Sequence, residues 1–187
     1  MGFNITGDPA ADKILDESPF ALLLAMLLDQ QYPMEHAFRG PAKLLDRFGT
    51  LDPESIAAAD PEAFATVCAT TPAVHRFPGS MATKIQAVAS DVATLYGGDA
   101  SRIWTEAADG PDLVKRVMAL SGFGKQKAQI FTALVAKQLG VKPVGWEEAV
   151  GDYSLEGYRS VADVVDPDSL AKVRSYKKEK KAAAKAV

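Results

Sequence analysis

Cysteine is nearly absent from this sequence, since Cys68 is the only one among 187 residues. A disulfide framework within the chain is therefore excluded, and so is a metal centre or iron–sulfur cluster held by several cysteines. A chain without disulfides suits a reducing compartment, so we expect a cytoplasmic protein.

Long apolar runs are also missing. The longest, Phe20–Leu28, covers about half of a membrane span. The first residues carry neither the basic start nor the apolar centre of a signal peptide. We therefore expect no membrane partner. Period-two alternation and hairpin signals are absent as well, which favours an all-α chain.

Positive charge is scarce except near the carboxyl end. The net charge is −3, yet residues 172–187 hold seven Lys or Arg against the single acid Glu179. This tail carries about +6, so residues 1–171 carry about −9. We divide the chain into a helical domain over 1–171 and a basic, poorly ordered Lys/Ala-rich tail over 172–187. The tail either aids solubility or contacts nucleic acid, and both interpretations stay open.

Proline and acidic residues mark several helix starts. Ser18-Pro19 precedes "FALLLAMLLDQQ", which is apolar on every side and predicts a buried central helix. Asp52-Pro53-Glu54 and Asp60-Pro61-Glu62 each combine a capping Asp, a Pro at the first helical position and a Glu near the positive helix end. Helical spacing recurs further on. The pattern predicts short helices packed at many angles.

The stretch "LSGFGKQKAQIF" places two glycines between helical patterns over 112–120 and 125–139. Glycine permits positive φ and close backbone approach. The amides at the start of the second helix lack an intrahelical acceptor, so they form an anion site with the positive dipole end behind them. We predict a phosphate contact here, and the alternative is an ordinary αα-hairpin with solubilising lysines. The predicted DNA-contacting residues are Ser121, Gly122, Phe123, Gly124, Lys125, Gln126 and Lys127.

This hairpin resembles the "LPGVGxxTA" hairpin of the HhH-GPD superfamily of base-excision DNA glycosylases, which includes endonuclease III, adenine glycosylase and alkyladenine glycosylases. Three further stretches resemble that family in the same order. They are "LLAMLLDQQYPMEHAF", "SIAAADPEAFATVC" and "ATKIQAVASDVATLYGG". The resemblance implies an all-α, two-lobed fold whose lobes meet at the helix–hairpin–helix motif, with a cleft for a flipped base. It also implies double-stranded DNA as the partner.

In this family a catalytic Asp follows the second hairpin helix and stabilises positive charge on the sugar. The corresponding stretch here is "GVKPVGWEEAVGDYS", which has no Asp at the expected position. The register of the adenine glycosylases places Glu147 there, with Glu148 adjacent, so both are candidate catalytic residues. Alternatively, the two acids only begin a helix, where negative charge is favourable.

Other differences from the family pattern restrict the type of glycosylase activity that can be expected. Bifunctional relatives carry a Schiff-base lysine where this chain has Gln126, and adenine-excising relatives carry a Glu where it has Met26. The four-cysteine iron–sulfur loop is absent, so no cofactor is expected, although a monovalent cation at the hairpin is compatible with the resemblance. These features favour a monofunctional DNA N-glycosylase acting on a damaged or mismatched base. The alternative is a non-catalytic DNA-binding relative that has lost the catalytic Asp. A third, more remote one is a fold relative with another ligand, or a structural module.

The remaining candidate residues belong to the expected cleft. Gln30 or Gln31 could bond a base edge, Tyr32 could stack on a base, and Trp146 could form a pocket wall. Each has an alternative, because the glutamines could cap the preceding helix and Trp146 could be a core residue. We expect a monomer in the cytoplasm, associated with the nucleoid if the organism is bacterial.

Overall fold

The computed structural model describes residues 2–186, and in this range helices and their connections account for the whole chain. The all-α prediction is therefore confirmed. Two short 3-10 turns, Gly151–Ser154 and Val161–Asp163, precede the last helix. The α-helices are α1 (Pro9–Glu17), α2 (Pro19–Leu28), α3 (Met34–Phe48), α4 (Pro53–Ala58), α5 (Pro61–Ala69), α6 (Pro78–Tyr96), α7 (Arg102–Thr105), α8 (Gly110–Met118), α9 (Lys125–Leu139), α10 (Trp146–Val150) and α11 (Pro167–Lys185).

The predicted capping residues begin their helices as expected. Ser18 accepts a hydrogen bond from an amide in the first turn of α2, and Asp52 and Asp60 do the same for α4 and α5. Each of these helices has Pro in its first turn. Proline has no N–H to leave unpaired there, and its fixed φ suits the helix start.

The centre of the fold is α2. All its residues from Phe20 to Leu28 are at most 3% exposed, and it contacts α1, α3, α6 and α9. A helix that is apolar on every side must be surrounded by other elements. No helix within residues 2–186 has both the length and the apolar character needed to cross a membrane.

The other helices form two groups that meet along α2. In the first group α4 and α5 pack on α6, and α5 also reaches α3. In the second group α8, α9 and α10 pack on one another, and the 3-10 turn Val161–Asp163 joins α9 to α11. One continuous apolar core runs through both groups. The carboxyl end of α2 and the amino end of α9 thus lie at the junction.

The carboxyl terminus differs from the sequence-based prediction. In place of a poorly ordered tail over 172–187, α11 continues as a helix to Lys185, and Val187 lies outside the described residues. Asp166 and Ser169 cap the start of α11 reciprocally. Arg174 Nη1 lies 3.1 Å from Glu35 Oε1 on α3, so the helix is anchored to a distant part of the chain. A charge count does not reveal such anchoring.

Candidate nucleic-acid interface and cleft

The turn between α8 and α9 uses its two glycines differently. Gly122 has φ of +84°, and a Cβ there would lie 2.6 Å from Leu27 Cδ1. Gly124 has φ of −84°, and a Cβ there would meet no atom within 4 Å. Positive φ and close approach are therefore requirements of Gly122 alone, although the sequence predicted them for both positions.

The amides of this hairpin divide into bonded and open groups. Ser121 donates to Asp91 Oδ2 at 2.7 Å, and Phe123 donates to the Leu120 carbonyl at 3.2 Å. By contrast, no acceptor within residues 2–186 bonds the amides at the start of α9, and no side chain caps this helix. These open amides belong to Gly124, Lys125, Gln126 and Lys127. They retain the anion-binding capacity of a helix amino terminus.

The side chains of the hairpin also separate into outward and inward positions. Lys125 and Gln126, two of the predicted DNA-contacting residues, are exposed. Phe123 is only 5% exposed, and its ring centroid lies 6.4 Å from that of Phe131 in the core, so its side chain does not face DNA. Lys127 turns inward and donates from Nζ to the Leu27 carbonyl at 3.1 Å. The sequence predicts a DNA contact for Lys127, whereas the structure directs its amine to the end of α2.

Lys127 therefore caps the carboxyl end of α2, the negative end of that helix. Burial lowers the pKa of its amine to about 8, and this effect outweighs the opposing influence of the nearby Asp29 carboxylate. Lys84 on α6 and Lys177 on α11 lower the same pKa further by repulsion. Cationic groups from three helices thus converge on the end of α2.

Asp29 is the carboxylate at this point, and the sequence analysis did not single it out. Its side chain is 7% exposed, with Oδ2 3.9 Å from Lys177 Nζ. Burial raises the pKa of this carboxyl group, while Lys177 and Lys127 oppose the shift. A signal was available, because Asp29 lies three residues after Met26, where adenine-excising relatives carry their Glu.

The loop after α2 fixes Gln30 and exposes Gln31. Gln30 donates from Nε2 to the Leu27 carbonyl at 2.8 Å and accepts from Lys84 Nζ at 3.2 Å. Gln31 has φ of +51°, which non-glycine residues adopt infrequently, and its side chain is exposed. Of the two glutamines, Gln31 therefore has the side chain available for a base edge. Gln30 takes the capping role given as its alternative.

His75, in the connection between α5 and α6, holds the loop after α2 through a hydrogen bond to Gln30. The Phe77 amide donates to Nδ1 at 3.0 Å, so the ring proton resides on Nε2, which donates to the Gln30 carbonyl at 2.9 Å. Burial lowers the pKa of His75, which favours this neutral form. The Tyr32 ring lies 4.7 Å from that of His75. Tyr32 is half-buried against the histidine and does not project freely as a stacking surface.

The structure places the candidate residues of α10 away from the junction. Glu147 and Glu148 are exposed in the first turn of this helix, where acidic residues are favourable. Trp146 is 7% exposed, and its backbone is in close contact with Gly110 at the start of α8. Trp146 therefore occupies the core alternative.

A cavity of about 710 Å³ lies between α9 and α11. Gln126 forms part of one wall and donates from Nε2 to Tyr153 Oη at 2.9 Å. The α11 wall is basic, and Asp or Glu is absent among the described residues that line the cavity. The sequence analysis did not single out Tyr153, Arg159 and Tyr176 in this lining, although Tyr153 lies in the stretch after α9 and Tyr176 in the basic carboxyl-terminal segment.

The contrast between the two glycines predicts different effects on stability. We expect Gly122→Ala to lower the free energy of unfolding by about 2 kcal/mol, because alanine disfavours this φ and its Cβ displaces Leu27. Gly124→Ala, the matched control, should change it by less than about 0.5 kcal/mol. Urea denaturation measures both. Equal losses in the two variants would contradict the assigned turn geometry.

The lowered pKa of Lys127 predicts a dependence of stability on pH. In the range from about pH 8 to the ordinary lysine pKa, the unfolded chain binds more protons than the folded protein, so stability rises with pH. We expect Lys127 to contribute an increase of about 2 kcal/mol between pH 8 and pH 10. Urea denaturation of the wild type and of Lys127→Met across this range isolates the contribution. If the free energies of unfolding of the two proteins changed in parallel with pH, the environment of Lys127 could not be one that disfavours its charged form.

Comparison with known proteins agrees with this geometry. No curated protein and no solved structure matches the chain. A family model does match, over residues 24–186, and its description is HhH-GPD superfamily base excision DNA repair protein. The matched range includes the second half of α2, the glycine hairpin and all of α11. The chain therefore belongs to the HhH-GPD superfamily of base excision DNA repair proteins.

Proposed function

We propose that this protein is a monofunctional DNA N-glycosylase that removes a damaged or mismatched base from double-stranded DNA. The observation that carries the proposal is the position of Gln126. It lies between the open amides of α9 and the cavity of about 710 Å³, at the place where bifunctional relatives carry their lysine. The start of α9 thus combines amides that could bind a phosphate with a cavity wall at residue 126. That wall carries an amide side chain where bifunctional relatives have an amine.

In this proposal the hairpin binds the DNA backbone, and the cavity binds the extruded nucleotide. The open amides of α9 and the exposed Lys125 bind the backbone, which requires no particular sequence. Extruding a nucleotide from the duplex costs a few kcal/mol. Aromatic contact in the cavity offsets part of that cost, and the rings of Tyr153 and Tyr176 lie in its lining. Outside the cavity, Gln31 is positioned to contact the partner base at the gap.

Base removal also requires a group that stabilises the sugar. As the glycosidic bond breaks, its electron pair leaves with the base and positive charge develops on the sugar. Water then adds its oxygen to the anomeric carbon and releases a proton. We propose Asp29 as the stabilising carboxylate in preference to Glu147 and Glu148, because it lies at the junction of α2 and α9 beside Lys177, which lines the cavity.

Access to Asp29 depends on Lys177. The carboxylate is 7% exposed and the lysine 47% exposed, so the lysine covers the acid from the solvent side. A bound phosphate offers Lys177 a competing anion. If Lys177 moves to that phosphate, the Asp29 carboxylate becomes accessible to the sugar. Lys127 remains in place and favours the ionised form of Asp29.

The second candidate function is a DNA-binding protein without catalysis on the same fold. Two observations favour it: the exposure of Glu147 and Glu148, and the absence of Asp and Glu from the described cavity lining. The two functions predict the same DNA binding. They differ only in base release.

Base release is therefore the first test. We expect a panel of duplexes bearing uracil, hypoxanthine, alkylated or oxidised bases to include one that yields an alkali-labile site. Strand breaks should appear only after hot alkali, since no lysine occupies position 126. Gel electrophoresis of labelled strands measures both steps. Cleavage without alkali would contradict monofunctional action, and binding without release across a broad panel would favour the second function.

Substitution of the acids tests the assignment of the carboxylate. We expect Asp29→Asn to reduce the single-turnover rate of base release by about 100-fold or more, as for the loss of one electrostatic stabiliser. Glu147→Gln and Glu148→Gln remove the same charge from α10 and serve as matched controls with near wild-type rates. The wild-type rate should also fall on acidification at a higher pH than an ordinary Asp would give, because the pKa of Asp29 is raised. If a Glu variant lost activity while Asp29→Asn remained active, the stabilising carboxylate would be on α10 and the assignment of Asp29 would be wrong.

A further inference from the structure

The charge of α11 is concentrated on exposed side chains that the protein itself does not neutralise. Lys178, Lys181 and Lys185 follow one another at intervals of three and four residues, and all are exposed. Residues at these intervals are neighbours on a helix surface, and like charges placed so repel. None of the three makes an ion pair within residues 2–186. A bound polyanion would relieve this repulsion.

Other cations hold α11 in place. Arg174 pairs with Glu35, which ties the helix to α3, and in the free protein Lys177 also approaches Asp29 at the end of α2. Lys180 Nζ lies 5.8 Å from the ring centroid of Tyr153. These contacts position the unpaired lysines on a fixed helix, whereas a solubilising tail needs no fixed position.

The fixed position is beside the hairpin. Lys178 and Lys181 line the cavity of about 710 Å³ on the side of α11, while Gln126 lines it on the side of α9. The open amides at the start of α9 adjoin Gln126 in the chain. Two groups suited to phosphate therefore flank one cavity.

We propose that α11 is a second phosphate-binding surface, whose exposed lysines Lys178, Lys181 and Lys185 hold the same DNA duplex that the hairpin binds. This proposal rests on the proposed function for the identity of the partner, but it does not require base excision. The three lysines span about 10 Å along the helix. One strand rises by that length over about three nucleotides, so the surface covers two or three phosphates.

The remainder of the chain makes this surface distinctive. Residues 1–171 carry about −9, so most of the protein repels DNA, and α11 concentrates the positive charge on one side. A membrane surface is a poorer occupant, because the exposed residues of α11 around these lysines are further lysines, alanines and Glu179, with no large apolar side chain to insert.

Charge reversal tests the surface without disturbing the core. We expect Lys178→Glu with Lys181→Glu to weaken binding to a 30-base-pair duplex at least tenfold and to lower the slope of log K against log salt by about 2. The matched control is Lys13→Glu with Lys142→Glu, two exposed lysines on α1 and beyond the far end of α9. It makes the same change in net charge and should weaken binding less than threefold. Fluorescence anisotropy at several salt concentrations measures both, and thermal unfolding verifies that each variant is folded.

Site-directed crosslinking tests contact more directly, because Cys68 is 0% exposed and burial raises the pKa of its thiol to about 11. A cysteine introduced at an exposed position is therefore the only reactive thiol. Lys181→Cys should attack an activated mixed disulfide tethered to one phosphate of the duplex, scanned along the strand, so that the protein–DNA disulfide forms and the small leaving thiol is released. Lys142→Cys, at the opposite end of α9, should not.

The outcomes separate this proposal from the proposed function. If Lys125→Glu weakens DNA binding while the α11 variant equals its control and Lys181→Cys fails to crosslink, the α11 surface is overturned and the hairpin assignment stands. If the wild type does not bind duplex DNA, both proposals fall. Preference of the wild type for RNA of the same length, lost in the α11 variant, would also overturn the assignment of DNA as the occupant.

Discussion

The contact between Lys127 and the Leu27 carbonyl joins the two halves of this protein. It sets the amino end of α9 against the carboxyl end of α2, so that the positive end of one helix meets the negative end of another. A charged amine is costly to bury, and the lowered pKa of Lys127 measures that cost. The position of Gln126, the approach of Gly122 to Leu27 and the environment of Asp29 all depend on this junction.

The same junction explains why hairpin and loop act together. Leu27 O accepts from both Lys127 and Gln30, so the end of α2 links the start of α9 to the loop that presents Gln31. His75 fixes that loop from the first group of helices. The open amides of α9 and the exposed glutamine are thus parts of one hydrogen-bonded unit, although they lie almost 100 residues apart in the chain.

Local chemistry made much of the fold predictable. Asp52 and Asp60 cap their helices by accepting hydrogen bonds from amides three residues further on. The uninterrupted apolar run of α2 was enough to predict that this helix is buried. The inward turn of Lys127 was not predictable, because its acceptor is 100 residues distant. The anchoring of α11 was hidden for the same reason, since Arg174 and Glu35 are 139 residues apart. In the candidate site, the sequence identified the hairpin and gave two candidate carboxylates on α10, Glu147 and Glu148, whereas the position of Asp29 beside Lys127 and Lys177 became apparent only in the structure.

The conformation of Gln31 has a consequence for the free energy of the proposed DNA binding. Its left-handed backbone is held by the surrounding contacts of Gln30 and His75 before any DNA is present. The loss of chain entropy that orders this loop therefore belongs to folding and not to complex formation. A glycine at this position would relax the backbone but also free it to move, and it would remove the side chain. Under the proposed function, this loop lowers the stability of the free protein slightly, and the contact it would make is already formed before a duplex binds.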